Sequence, residues 1–347
     1  MATIRDIAKI CNVSVATVSN IINGKGGASE ETAARVRKVA DELNFAPNMI
    51  AKNLKQRSTR TIGVLTEDLT VFNMPEIVDG IDSYYEEKKY HVLLSNLRLF
   101  RKYGDAYYES EEYFSQVAEE LKIMLAKQVE GIIYIGCQVR NIPCIPKKFP
   151  IPIVVAYSYT ENKGVPSVVF NDEQAAYDAT KELIGCGHKR IAILCGPANN
   201  LHTQQRLQGY QRALFENEIL FNPAFVLPGG WTYQAGYEAA ERLFQLGVTA
   251  VFAMNDLLAG GVLDRAKERG IRVGEDLSII GFDNREISKV YNPPLTTVQL
   301  PLTEIGREAA SLMLDLICKN EEVQLTRHKM NCSLVRRASV SAPKPAD

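Results

Sequence analysis

Val13-Ser14-Val15-Ala16-Thr17-Val18-Ser19-Asn20-Ile21-Ile22-Asn23 is the stretch whose reading decides the fold. Ser14 is a helix cap, because its hydroxyl can accept from a backbone N–H left open in the first turn. Val18, Ile21 and Ile22 then recur on one face of a helix over Val15–Ile22. Upstream, Thr3 can cap a helix from Ile4 to Cys11, with Ile4, Ile7, Ala8 and Cys11 on its inner face. Between the two lies Cys11-Asn12-Val13, and Asn tolerates the left-handed backbone that a tight turn requires. Two short helices around a three-residue turn make a helix-turn-helix. A third helix follows, capped by Ser29, with Ala33, Val36, Val39, Ala40 and Leu43 facing inward.

In such a motif the second helix enters the major groove of double-stranded DNA. Its outward residues divide by chemistry. Val15 and Ala16 suit apolar contact such as a thymine methyl, and Asn20 suits an adenine edge. Ser14, Thr17 and Ser19 suit phosphates. Charge agrees in sign: residues 1–60 hold ten Lys/Arg against five Asp/Glu, so this segment is +5 and the rest −6. A basic head on an acidic body suits a polyanionic partner. A plain three-helix bundle without DNA contact would share the same core. Beyond Phe45-Ala46-Pro47-Asn48, residues 49–56 can form about two helical turns with Lys52, Lys55 and Arg57 around Leu54. That is too short to be stable alone. It would fold on a partner, with Leu54 as a wedge in a minor-groove step.

Thr3-Ile4, Asp6-Ile7-Ala8, Val13-Ser14, Thr17-Val18-Ser19, Ile22-Asn23, Leu43-Asn44-Phe45, Pro47-Asn48, Ala51 and Leu54 together resemble the head and hinge of the lactose-repressor (LacI/GalR) family. The resemblance implies that Thr3, Ser14, Val15, Ala16, Thr17, Ser19, Asn20, Asn23, Asn48, Leu54 and Lys55 contact DNA. It also implies a hinge helix over 48–55, with Leu54 intercalating. Many relatives carry Arg at the position of Asn20, so the preferred operator is expected to differ.

From Thr61 onward, apolar strands alternate with helices, which means parallel sheets with helices on their faces. Strands are expected near 61–65, 90–94, 131–135, 153–156, 190–194, 250–253 and 278–280. Helices are expected over 75–88, 109–127, 172–186, 203–217, 233–246, 256–269 and 303–318. Two sheets of similar size imply two lobes with a cleft between them. Gly187-His188-Lys189-Arg190, Arg206, Gly209-Tyr210, Asn255-Asp256, Gly281-Phe282-Asp283 and Pro293-Pro294-Leu295 resemble the periplasmic-binding-protein-like effector domain of the same family. The expected organisation is a head at 1–47, a hinge helix and linker at 48–60, and an effector-binding and dimerisation domain at 61–347. Within the last, one lobe takes 61–161 with 301–323 and the other takes 162–298 with 324–340.

Ligands of such sheets bind beyond the strand C-termini, where Asn255 and Asp283 fall. In sugar-sensing relatives the positions of Arg206, Asn255 and Asp283 hydrogen-bond the effector and that of Trp231 stacks on it. Phe72, Tyr157 and Phe170 align with further pocket positions. Plainer readings stand beside these: Asp256 as a helix cap, Asp283 paired with Arg206, Trp231 as packing. Purine-sensing relatives place a cation and a Thr just before the position of Arg206. Here Asn200 and His202 stand there, which favours a carbohydrate effector. The loop between Ser95 and Glu109 is longer than in relatives. It can cover the cleft mouth or touch a partner subunit, and it can equally be a disordered insertion.

The other classes are disfavoured. No GxGxxG follows a strand, and the four His (91, 188, 202, 328) lack metal or base–nucleophile spacing, so neither an enzyme nor a cofactor is expected. Seven Cys without a CxxC pair suit a reducing cytoplasm. No signal peptide or membrane span is read. A soluble sugar receptor would share the body but not residues 1–60. The reading is therefore a sequence-specific DNA-binding regulator, a repressor, acting as a homodimer on a pseudo-palindromic operator under control of a small molecule.

Overall fold

The computed structural model describes residues 2–25, 27–45, 58–104, 107–319 and 326–344. The chain divides into two units, residues 1–60 and 61–347. The hinge segment, with Asn48, Leu54 and Lys55, lies outside the described residues.

The first unit holds α1 (Ile4–Ile10), α2 (Val15–Ile22) and α3 (Glu30–Glu42). Each start follows its cap. The Ser14 hydroxyl accepts from Thr17 N at 3.0 Å and the Ser29 hydroxyl from Thr32 N at 3.3 Å. At α1 the Asp6 carboxylate reaches back to the Thr3 N–H at 2.8 Å. Asn12 turns the chain with φ of 50°. Ile7, Ala8, Cys11, Val18, Ile21, Val36 and Ala40 form the core, with Ala33, Val39 and Leu43 packed around it.

The second unit opens with β1 (Thr61–Thr66), α4 (Met74–Lys88), β2 (His91–Asn96), α5 (Leu99–Tyr103), α6 (Glu111–Ala126), β3 (Gly131–Ile135), β4 (Ile153–Ala156) and β5 (Ser167–Phe170). It continues with α7 (Asp172–Gly185), β6 (Ile191–Leu194), α8 (Leu201–Glu216), β7 (Val226–Leu227), α9 (Tyr233–Gln245), β8 (Ala250–Ala253), α10 (Asp256–Glu268) and β9 (Ser278–Asp283). It ends with α11 (Ile287–Val290), β10 (Thr296–Gln299), α12 (Leu302–Ile317), β11 (Arg327–Met330) and β12 (Ser333–Val335). Two six-stranded sheets result, in the orders β11-β5-β4-β3-β1-β2 and β12-β10-β9-β8-β6-β7. Pairing is parallel except between β10 and β12. The inner strands β3, β4, β5, β6 and β8 are buried along their whole length. That is why they read as unbroken apolar runs rather than alternating ones.

The expected lobe boundaries need correction. Ile153–Ala156 does not close the first sheet, because Ser167–Phe170 pairs beside it, with Val155 opposite Ser167. Arg327 pairs with Ser167 in turn, which puts β11 on the same edge. Residues 162–170 and 326–330 therefore go with the first lobe. The chain crosses between the lobes near Asn171, between Gln299 and Leu302, and between Met330 and Ser333. The reason is physical: a four-residue strand held by a partner some 160 positions away has too little periodicity of its own to be read.

The long connection after β2 is ordered where described. Leu99 is buried in a helical turn, and Tyr107 is buried against Glu67, its hydroxyl 2.5 Å from Oε2. The reading of this segment as a disordered insertion is set aside for those residues. No helix among the described residues is long and apolar enough to cross a membrane.

Candidate functional site

The head presents the α2 surface. Val15, Ala16 and Asn20 are exposed, as are Thr3, Ser14 and Asn23, while Thr17 and Ser19 are half-buried. Several of these groups already have partners. The hydroxyls of Ser14 and Thr17 lie 2.8 Å apart, and Asn23 Nδ2 donates to Ser19 O at 2.7 Å. The Thr3 hydroxyl donates to Asp6 at 2.7 Å, and those Thr3 bonds hold the Asp6 carboxyl below its ordinary value. Val15, Ala16 and Asn20, by contrast, have no such side-chain partner among the described residues and stand exposed.

In the body, a cavity of about 200 Å³ opens between the ends of the two sheets. Six of the seven residues expected there line it: Phe72, Tyr157, Arg206, Trp231, Asn255 and Asp283. Phe170 is behind the wall, its ring stacked on His202 with centroids 5.6 Å apart. Tyr157 and Asp283 sit on left-handed backbone, with φ of 58° and 102°. Such strain in non-glycine residues costs about 1–3 kcal/mol each and concentrates where a side chain must point one way.

The polar groups are arranged differently from the expectation. Arg206 does not pair with Asp283. Its Nε donates to Asp172 Oδ1 at 2.7 Å, its Nη1 donates to the Met254 carbonyl, and its guanidinium stacks 3.5 Å from the centroid of Phe282. Burial works against ionisation of Asp172, but His202 and Arg206 together hold its carboxyl below the ordinary value. Asn255 caps α10 by accepting from Leu258 N at 2.7 Å and donates to the Trp231 carbonyl at 3.0 Å. It therefore positions the only tryptophan. Gly196 leaves room for that indole, since a Cβ there would strike the ring. Asp256, at N1 of α10, accepts from the Thr297 hydroxyl at 2.5 Å and from Arg285 N at 2.7 Å. It anchors the loop that carries Asp283. Burial pushes its carboxyl up to about 6, against those bonds.

The Asp283 carboxyl has no hydrogen-bond partner among the described residues. Burial, outweighing the Arg206 charge, pushes its carboxyl up to about 8. That push favours the protonated form, which can donate as well as accept.

Further wall residues were not assigned to the site from sequence. His202 is one turn before Arg206 on α8, an i,i+4 relation that was available as a signal. Its Nδ1 donates to Asp172 at 2.8 Å, while Nε2 accepts from the Val139 N–H at 3.2 Å, in the other lobe. Asn200 Nδ2 makes a second bond between lobes, to Gln138 Oε1 at 3.3 Å. Gln138 follows the C-terminus of β3, where the strand-end rule could have found it. Phe100 comes from the long connection and had no such signal. That connection is held by Glu67, which accepts from Tyr107, Tyr134 at 2.7 Å, Arg140 at 2.5 Å and the Cys137 N–H at 2.7 Å. Cys137 in turn lines the cavity.

Residues 3–48 match the model of bacterial regulatory proteins of the lacI family, and residues 180–340 match that of a periplasmic binding protein-like domain. The HTH-type transcriptional repressor PurR of Vibrio atlanticus (strain LGP32) is 34% identical over 344 residues, 98% of this chain and 99% of that one. The chain belongs to the LacI family. Among solved structures, the lac repressor dimer bound to operator and the anti-inducer ONPF superimposes with a TM-score of 0.80 at 26% identity, covering 98% of this chain and 99% of that one. The transcriptional regulator CelR–cellobiose complex gives 0.66 at 26%, covering 98% and 100%. This LacI-family member is thus a transcriptional repressor with a DNA-binding helix-turn-helix head and an effector-binding body.

Proposed function

We propose that this LacI-family repressor is governed by a carbohydrate bound between the lobes of residues 61–347. The observation that carries the reading is the pairing of an indole with an unpartnered carboxyl in one cavity. Trp231 offers a flat apolar face for a sugar ring, and Asp283 can both donate to and accept from its hydroxyls. The sugar contacts fall to Trp231, Asp283 and Gln138, with Tyr157 and Phe72 packing around them. Arg206 and Asn255 fix that wall. The CelR–cellobiose complex, of the same overall fold, is in keeping with such a ligand.

On the DNA side, Val15, Ala16 and Asn20 read base edges. Ser14, Thr17, Ser19, Thr3 and Asn23 serve the backbone, together with the open N–H groups at the start of α2. Asn48, Leu54 and Lys55 belong to the proposed hinge. Two copies pair through their bodies, the lac repressor of the comparison structure being itself a dimer bound to operator, and a two-fold dimer calls for a pseudo-palindromic operator. The sugar acts through its differential affinity for the two arrangements of the lobes. The bonds from His202 to Val139 and from Asn200 to Gln138 are the contacts that such a change would make or break.

The test is calorimetric titration of the full chain with neutral sugars, paired with operator gel shifts. A binding sugar changes operator affinity, and Trp231→Ala weakens its binding about tenfold or more, the loss of roughly 1.4 kcal/mol of stacking. Binding of nucleobases in place of sugars would overturn the carbohydrate assignment. An Asn20→Ala chain with unchanged base preference would overturn the reading of α2.

A further inference from the structure

One buried carboxylate stands where the long connection after β2 meets the cleft. Glu67 follows β1, and it is fully buried. Both of its oxygens are filled. Oε2 accepts from the Tyr107 hydroxyl at 2.5 Å and from the Cys137 N–H at 2.7 Å. Oε1 accepts from Tyr134 at 2.7 Å, from Tyr113 at 3.2 Å and from Arg140 Nη2 at 2.5 Å. Tyr107 belongs to the long connection, Tyr113 to α6 and Tyr134 to β3, while Cys137 and Arg140 belong to the turn after β3. The rings of Tyr107, Tyr108 and Tyr113 surround the Arg140 guanidinium, their centroids 5.4, 4.7 and 5.2 Å away.

Glu67 thus grips residues 137 and 140, and the two residues between them reach the second lobe. Gln138 Oε1 accepts from Asn200 at 3.3 Å, and the Val139 N–H donates to His202 at 3.2 Å. On its other side the same short segment holds the main chain of the connection. Leu97 N donates to Thr66 O at 3.0 Å, Leu99 N to Glu67 O at 2.9 Å, and Arg101 N to Asp68 Oδ2 at 2.8 Å. Phe100, between the last two, lines the cavity. Stability alone does not call for a charge here, because a buried ion pair gains little over an apolar pair of equal volume. What the pair supplies is register: five donors converging on two oxygens fit one arrangement of connection and turn.

We propose that Glu67 is a positioning residue for control of this repressor: through Tyr107 it straps the long connection to the turn 137–140, and so sets whether Gln138 and Val139 meet the second lobe. That role rests on the interlobe bonds' belonging to the regulatory change proposed above, whatever the effector's chemical class. A disturbance of the connection at Tyr107 is passed through one carboxylate to both ends of the turn, and from there to Asn200 and His202.

Glu67→Ala would leave Arg140 buried without its partner, a loss large enough to prevent folding. Tyr107→Phe is the better variant, since it removes one hydroxyl and leaves the other four donors on Glu67. Tyr85→Phe is its control: that hydroxyl is buried in the same lobe and donates to Ala310 O at 3.2 Å, and Tyr85 is not among the residues that line the cavity. The experiment compares both full-length variants with the parent, free of ligand, by hydrogen exchange in overlapping peptides across 137–141 and by operator gel shift. Tyr107→Phe is expected to speed exchange at the Val139 amide about tenfold, as loss of one hydrogen bond to a charged group would give, and to change operator affinity severalfold. Tyr85→Phe is expected to change neither, even at an equal loss of melting temperature. An unchanged Val139 rate in Tyr107→Phe would overturn the strap and leave the interlobe reading standing. An equal rise in Tyr85→Phe would overturn it too, as general loosening of the lobe. Faster exchange at Val139 with unchanged operator affinity would remove the interlobe bonds from the switch, and the role of Glu67 in control with them.

Discussion

The head and the cleft solve opposite problems with the same kinds of residue. On α2 the polar side chains stand in solvent, and the core beneath them is seven small or medium apolar residues. In the cleft the polar side chains are buried or half-buried, and most are committed to one another: Arg206 to Asp172, Asn255 to its helix and to Trp231, Asp256 to the loop of Asp283. A surface that meets DNA gains from groups that water can occupy until DNA replaces it. A pocket that excludes water must satisfy its polar groups beforehand, because an unpaired buried group costs about 1–3 kcal/mol. The difference teaches where each site is fragile. The head fails through its small core, the cleft through loss of a partner inside its network.

The largest effect is expected at Arg206. Arg206→Ala leaves Asp172 buried with only His202 beside it, which costs about 3–5 kcal/mol. Chemical denaturation should show that loss in residues 61–347 and none in an isolated head, and a loss below 1 kcal/mol would mean that the pair is not the keystone of the wall. Next is Ile7→Ala. Ile7 is fully buried, and its truncation costs about 2–5 kcal/mol, a large share of what a head this small can hold. Operator binding should vanish in gel shifts while sugar binding persists. If both sites fell together, the two regions would not be the separate units described here.

Ser14→Ala is smaller. Loss of the cap costs about 1 kcal/mol and should weaken operator binding across all sequences alike, whereas Asn20→Ala should alter base preference. A Ser14→Ala change in preference would move that residue from scaffold to reader. The last effect is one of pH, read as a slope and not as a single loss. The Asp283 carboxyl is raised to about 8 in the folded protein from a value near 3.9 in an unfolded chain. The folded state therefore holds the extra proton between those values, and stability falls as pH rises through that window. Asp256, raised to about 6, acts in the same direction over its lower part. Melting curves from pH 6.5 to 9 should decline less steeply for Asp283→Asn than for the parent chain. Identical slopes would place Asp283 outside the group of buried acids.

The head was legible because its signals are local. Caps at Thr3, Ser14 and Ser29, a left-handed Asn12 and apolar residues three and four apart lie within one or two helical turns of one another. Asn255 and Asp283 were legible as cleft residues for a related reason: strands β8 and β9 are strong apolar runs, and their C-terminal ends mark the ligand side of any parallel sheet, whereas Arg206 and Trp231 were placed there by the family resemblance.

The sequence by itself determined the helix-turn-helix, the alternation of strands and helices, and the side of the sheets on which the cleft opens, since each depends on patterns short enough to be read along the chain. Only the tertiary structure decided what the cleft residues do to one another. It gave Arg206 to Asp172 rather than Asp283, put Phe170 behind His202, drew Phe100 in from the long connection, and moved β5 and β11 into the first sheet. Those outcomes depend on which distant segments meet, and two four-residue strands or two buried charges carry no mark of a partner that the fold alone brings within reach.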